Sequence, residues 1–150
     1  MKKFLVFIYV ALVSLFCTSC VVDVQYDSVP FTVNNVYYST LKNDKVVKNV
    51  YFSQSAFEKD FNPAVTGAES MEKLVDFEKS FVVTITEVPT EISTDIQVTE
   101  VLVKDMGLHV LYKVVKGKKL GYKIHPCVVA SISRNYMNYD IAFHDITEME

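Results

Sequence analysis

From residue 31 onward the apolar side chains recur mostly at every second position, and that period commits the chain to β-structure. Residues 31–38 and 45–52 are rich in Val and Tyr and are separated by the turn-forming Asn43-Asp44, so they are expected to form a first strand pair. Residues 81–88 carry Val82, Val83 and Ile85 and are stopped by Pro89. Residues 95–104 alternate through Ile96, Val98 and Val101, then turn tightly at Asp105-Met106-Gly107 into a strand over 108–115. Lys116-Gly117-Lys118-Lys119 reads as a second turn, exposed and basic, and strands over 127–133 and 139–146 follow.

One segment departs from this period. Over residues 53–61, Ser53 or Ser55 serves as an N-cap and Glu58 stands three residues after Ser55 in capping-box position. Phe57 and Phe61 lie four apart on one helical face, and Asn62-Pro63 ends the helix. Residues 64–73 read as a loop holding Gly67, with a short helical turn over 69–74. The expected fold is α+β and mainly β: an antiparallel sheet of about seven strands with one early helix packed on it.

The front of the chain follows another rule. Lys2 and Lys3 precede a nearly unbroken apolar run over residues 4–17, interrupted only by Ser14. A bilayer span needs about 20 apolar residues, whereas this run is shorter and ends in small polar residues, which is the pattern of a secretory signal. Leu15-Phe16-Cys17-Thr18-Ser19-Cys20 then has the form of a bacterial lipoprotein signal, with small Thr18 and Ser19 before the scissile bond and a thiol after it. Residues 1–19 are expected to be removed and Cys20 to carry palmitate-type acyl chains. Residues 20–30 would form a tether closed by Pro30, and residues 31–150 a single β-rich domain. Two acyl chains suffice for a stable anchor, at roughly 0.8 kcal/mol per buried CH₂. A redox role for the CxxC of Cys17 and Cys20 is disfavoured, because that motif opens a helix in a folded domain.

Cleavage changes the charge and the cysteine count. The 150 residues less 19 leave 131, and loss of Lys2 and Lys3 takes the net charge from −3 to −5. Such a chain lacks the basic footprint of a nucleic-acid binder. Cys127 is the only cysteine left beyond Cys20, so the domain forms no internal disulfide, and neighbouring Val128 and Val129 favour its burial as a small hydrophobe.

Four stretches between Asn49 and Asp145 stand in a familiar order: Val50-Tyr51-Phe52-Ser53-Gln54-Ser55-Ala56-Phe57, Val75-Asp76-Phe77-Glu78-Lys79-Ser80-Phe81-Val82-Val83, Leu108-His109-Val110-Leu111-Tyr112 and His125-Pro126-Cys127-Val128-Val129. That order resembles the C-terminal domain of the protease complex subunit PrcB, a family of bacterial exported proteins and lipoproteins. The resemblance implies a non-catalytic accessory, without cofactor, that binds an exported protease and stabilises or restrains it. It places the protein at the cell envelope, lipid-anchored in the outer membrane. The family usually follows its first of these strands with proline-threonine and then glycine-glycine-tyrosine; here Pro89-Thr90 is followed by Glu91-Ile92-Ser93-Thr94. Pro89, Thr90 and Glu91 are the expected partner-contact loop, joined by Tyr136 and Tyr139, which flank Asn138 in an expected hairpin tip and supply large contact area with polar ends.

No catalytic, cofactor or metal residues are expected. His109, His125 and His144 stand in no metal-ligand spacing, although His125 and Cys127 share a strand face. A Cys127 nucleophile with His125 or His144 as base would need them within about 2.6 to 3.2 Å of each other. Glu87 with Glu91, and Asp140 with Asp145, read as solvated acids rather than a glycosidase pair. The alternative to protein binding is a glycan- or peptide-binding envelope lipoprotein, which a cluster of solvent-facing Tyr side chains around a concave patch would favour.

Overall fold

The computed structural model describes residues 26–64 and 74–148. The export signal, Cys20 and most of the expected 64–73 loop lie outside the described residues.

The architecture grows from one hairpin. At its tip Asp105 and Met106 take positive φ angles of 49° and 65°, the left-handed pair that suits a two-residue turn between twisted strands. Strands β7 (Thr90–Lys104) and β8 (Gly107–Ile124) run from that tip. Their continuations, β6 (Ser80–Thr86) and β9 (Cys127–Ser133), stay paired: Lys104 faces Gly107, Asp95 faces Val115, Thr86 faces Cys127 and Ser80 faces Ser133. The Glu87 N–H donates to the Pro126 carbonyl at 2.9 Å and joins the two ladders. The ribbon bends between them, so its tip half lies in one sheet and its base half in another.

Each half is flanked by shorter strands. The tip half is the centre of a sheet ordered β1-β7-β8-β10, with β1 at Asp27–Ser28 and β10 at Asp140–Asp145. The base half is the centre of a sheet ordered β2-β9-β6-β4, with β2 at Phe31–Val33 and β4 at Val47–Tyr51. Apolar residues from both sheets meet between them, among them Phe81, Val83 and Ile85 of β6, Ala130 and Ile132 of β9, Val101 of β7, and Leu108 and Val110 of β8. Each of these Val, Leu, Ile and Phe side chains contributes about 1.5–3 kcal/mol on burial. A bulge between Val98 and Glu100 keeps the pattern in phase, because Ile96 and Val98 point inward before it and Val101 points inward after it.

β6 is buried on both faces. Val82, on its other side, joins Tyr51, Phe57, Phe61 and Val129 in a second core. That core is roofed by helix α1 (Gln54–Phe57) and by a two-stranded sheet of β3 (Tyr37–Ser39) and β5 (Phe61–Pro63). Ser53 caps α1, its Oγ accepting from the Ala56 N–H at 3.4 Å. The Asp76-Phe77 step leads into β6. Asp76 accepts from the Glu78 N–H and pairs with Lys79 at 2.9 Å, and the Lys79 ammonium holds its carboxyl below the usual range.

The mainly β class is as expected, but the described residues form two four-stranded sheets and a two-stranded one rather than a single sheet of seven. The sheets are not wholly antiparallel either, since β10 lies parallel to β8. The expected pairing of 31–38 with 45–52 does not form. A turn at Asn35-Val36 splits the first segment; its front half pairs with β9, its back half with β5, and β4 pairs with β6. The expected nine-residue helix stops after Phe57 because residues 61–63 pair with Tyr37–Ser39. The rings of Phe57 and Phe61 still share one side, stacked at 5.0 Å and 3°, with Phe61 arriving on a strand. The tether ends earlier than Pro30: Asp27 and Ser28 pair with Val103 and Leu102, and Val29 is core, 2% exposed. Lys116-Gly117-Lys118-Lys119 makes no turn and lies within β8.

Candidate functional site

The bend of the long hairpin is exposed on its β8 side, with residues 115–119 and 121–123 all open to solvent. From Thr90 to Thr94 on β7 there are four steps, while the paired stretch of β8, from Ile124 to Lys116, has eight. The surplus sits on the lysine-rich strand, and bulged ribbons of this kind are how strands pass from one packed sheet to another. Thr90 Oγ1 accepts from the Ile92 N–H at 3.1 Å, and Thr94 Oγ1 donates to the Ile92 carbonyl at 2.9 Å, which fixes the β7 side locally. Across the ribbon Gly117 lies close to Ser93: a Cβ at Gly117 would stand 3.3 Å from the Ser93 Cβ.

The side chains here mix apolar and basic groups. Ile92, Val115 and Tyr122 are 40%, 45% and 66% exposed. Lys116, Lys118, Lys119 and Lys123 are exposed around them, and Lys119 meets Glu91 at 3.7 Å. An open cleft of about 630 Å³ adjoins the bend, lined by Glu87, Val114, Lys116, Asp145, Thr147 and Glu148. Pro89 is exposed just before the bend, Thr90 opens β7 and Glu91 is its first outward carboxylate. Thr90 and Glu91 therefore belong to β7 and not to a free loop, while Pro89 stays in the short link between β6 and β7.

Tyr136 and Tyr139 lie elsewhere. They sit on the crossing from β9 to β10, a 3-10 turn at Arg134–Tyr136 followed by a bonded turn in which the Tyr139 N–H donates to the Tyr136 carbonyl at 3.2 Å. Both are half-buried against the inter-sheet core, with ring centroids 6.0 Å apart. Arg134 pins this crossing by donating to the Phe77 carbonyl at 2.6 Å and the Phe52 carbonyl at 3.3 Å. The crossing follows Ser133, which faces Ser80, whereas Pro89 follows Thr86, which faces Cys127. The two groups of expected contact residues are thus at opposite ends of the β6–β9 ladder, about 20 Å apart at roughly 3.3 Å per residue, and do not form one surface.

The residues of a conceivable thiol nucleophile are each engaged separately. His125 Nε2 meets Asn43 Oδ1 at 2.7 Å, and Asn43 Nδ2 in turn donates to the Lys45 and Glu87 carbonyls at 2.8 and 3.1 Å. Cys127 is half-buried on β9, its Sγ 4.0 Å from the Tyr37 carbonyl. Burial pushes its thiol up, away from the thiolate a nucleophile needs. His144 lies on the other sheet, where its Nε2 meets His109 Nδ1 at 2.8 Å. Among the described residues no group of three or more His, Cys, Asp or Glu is placed to hold a metal. Glu91 pairs with Lys119, and Asp145 accepts from the Thr147 hydroxyl and from the Thr147 N–H, which together lower its carboxyl. The exposed tyrosines are scattered: Tyr26 lies beside Lys104 near the hairpin tip, Tyr38 is on the small sheet and Tyr122 is at the bend.

Sequence reading missed the bend, because Gly117 among lysines carries the signature of a turn. It also missed the His109–His144 contact, for which a 35-residue separation and a parallel register leave no local signal. Compared with known proteins, the chain matches no family model, no curated protein and no solved structure.

Proposed function

We propose that the chain is a lipid-anchored, non-catalytic protein of the bacterial envelope that binds another exported protein and stabilises or restrains it. The resemblance to the PrcB C-terminal domain makes a protease the expected partner. The observation that carries this reading is the bend, where Ile92, Val115 and Tyr122 stand in solvent among four lysines. Single exposed apolar residues need no explanation, but three on one short ribbon, one of them aromatic and all rimmed by charge, have the make-up of a contact patch.

The position of the bend favours the same reading. The chain enters the body where Asp27 and Ser28 pair with Val103 and Leu102, next to the Asp105-Met106 tip. Ile92 lies on the same strand, on the order of 30 Å from Val103 along its path at about 3.3 Å per residue. An acyl anchor on Cys20 would hold the tip end towards the bilayer and leave the bend facing away from it.

Affinity capture of the full chain from detergent-solubilised envelope tests the proposal. A protease is expected to co-purify and to be lost with Tyr122→Ala and Ile92→Ala combined, while Cys20→Ala is expected to move the protein out of the membrane fraction. Recovery of polysaccharide alone would favour the glycan- or peptide-binding alternative. Capture unchanged by the two bend substitutions would refute the bend as the contact surface.

A further inference from the structure

We infer that His109 and His144 form a two-histidine chelating site for a divalent first-row transition ion of the nickel or copper type. They are two of the three histidines in the sequence. Neighbouring strands of a parallel pair carry them, with His109 facing Ala142 and His144 facing Leu111, so both side chains stand on the outer face of their sheet. The Nδ1 of His109 lies 2.8 Å from the Nε2 of His144. Ring centroids 5.0 Å apart with planes 22° from parallel are what edge-to-edge rings give at that N···N distance, so each nitrogen aims its in-plane orbital at the other. In the neutral pair one of the facing nitrogens carries the proton and the other the lone pair.

The ligand type selects the ion. In the metal-free pair the 2.8 Å separation is that of an N–H···N hydrogen bond; imidazole nitrogen suits nickel and copper, and affinity for such ligands climbs along the divalent first row through nickel to copper. Each ring must swing by about 45° to turn its lone pair from the facing nitrogen onto a common ion at a right-angle N–M–N geometry, a swing that the exposed outer face of the sheet leaves room for. The donor imidazole must also shift its proton to its other ring nitrogen, so a neutral pair binds the ion without releasing a proton. Only these two ligands come from the protein, so water completes the shell.

Gly107 holds the pair in position. A Cβ there would stand 3.0 Å from His109 Nε2, so a larger residue would shift the ring by a few tenths of an ångström against His144. The ion would tie β10, an edge strand held by its pairing to β8, to the centre of its sheet.

Nickel titration of the full chain in detergent, followed by calorimetry and by histidine ring NMR signals, provides the test. One saturable site is expected, with the His109 and His144 ring signals broadened by the paramagnetic ion and that of His125 unaffected. His109→Gln and His144→Gln should each weaken binding at least tenfold, Gly107→Ala should weaken it measurably, and His125→Gln should leave it within twofold. Binding should also raise the thermal midpoint by a few degrees in the parent chain and not in either Gln variant. Absence of saturable binding below 1 mM nickel, or binding that neither Gln variant changes, would overturn the inference; ring broadening in the unaltered chain reads the site even if a variant fails to fold.

Discussion

Phe57 closes the second core, and its removal separates that layer from the sandwich. It is 1% exposed and meets four other rings: Tyr37 at 4.9 Å, Phe61 at 5.0 Å, Tyr51 at 5.4 Å and Phe77 at 5.5 Å. Phe→Ala in a packed core costs about 3–5 kcal/mol, and each aromatic pair contributes about 0.5–1.5 kcal/mol beyond its area. α1 has four residues and cannot persist without tertiary packing. Phe57→Ala is therefore expected to cost about 4 kcal/mol, a large share of the roughly 5–15 kcal/mol of a domain this size. At about 4 °C per kcal/mol the midpoint should fall by roughly 16 °C. Hydrogen exchange should localise the damage. The Thr40 and Ala64 amides, which bond to the Asp60 and Val36 carbonyls, should lose protection well before the amides of Val83 and Ile132. A cost below about 1.5 kcal/mol, or equal loss of protection in both layers, would refute the picture of a separable roof held by one ring.

Three further outcomes are expected. Thr86 is fully buried and its Oγ1 has no hydrogen-bond partner among the described residues; Thr86→Val should stabilise the fold by about 1 kcal/mol in urea titration, and destabilisation would mean that the hydroxyl is bonded. Met106 is 81% exposed at φ 65°, so Met106→Gly should relieve the left-handed penalty and add about 1 kcal/mol, an expectation that an unchanged or lowered midpoint would contradict. The Tyr51 phenol is pushed up to about 12, first by burial and then by its 2.8 Å bond to the Asp60 carboxylate. A raised folded value means that its contribution is full below pH 10 and is lost between about pH 10 and 12; melting scans over that range should flatten in Tyr51→Phe, and parallel curves for the two proteins would dismiss the link.

Strand identity was legible wherever alternation was strong, and pairing was legible only where the chain returned on itself at once. β6, β9 and the hairpin around Asp105-Met106 fall close to their expected positions because Phe81, Val83, Ile85, Ile96 and Val110 mark their inner faces. The partners of β2, β3 and β5 were not legible, because segments of three residues carry too little pattern to choose an edge and contacts 20 or more residues away decided among them. Phe57 and Phe61 show the limit of periodicity: a spacing of four gave the right shared face for the wrong backbone, since a helix turn followed by a returning strand brings both rings to the same side. Around the candidate site, Thr90 and Glu91 lie on the bend and Pro89 just before it, but Tyr136 and Tyr139 lie elsewhere, because aromatic contact area serves a core as readily as a surface.

The nesting of β7 and β8 inside β6 and β9 bears on how the chain finds its register. Closing the two-residue tip brings Lys104 to Gly107, and each further pair then forms beside one already made, so the central strands of both sheets can zip from a single origin at little cost in loop entropy. A slip of one residue at that origin would carry the wrong faces inward along the tip half. The surplus residues of β8 at the bend act as slack, letting the base half settle its own alignment between Thr86 and Cys127 instead of inheriting the error.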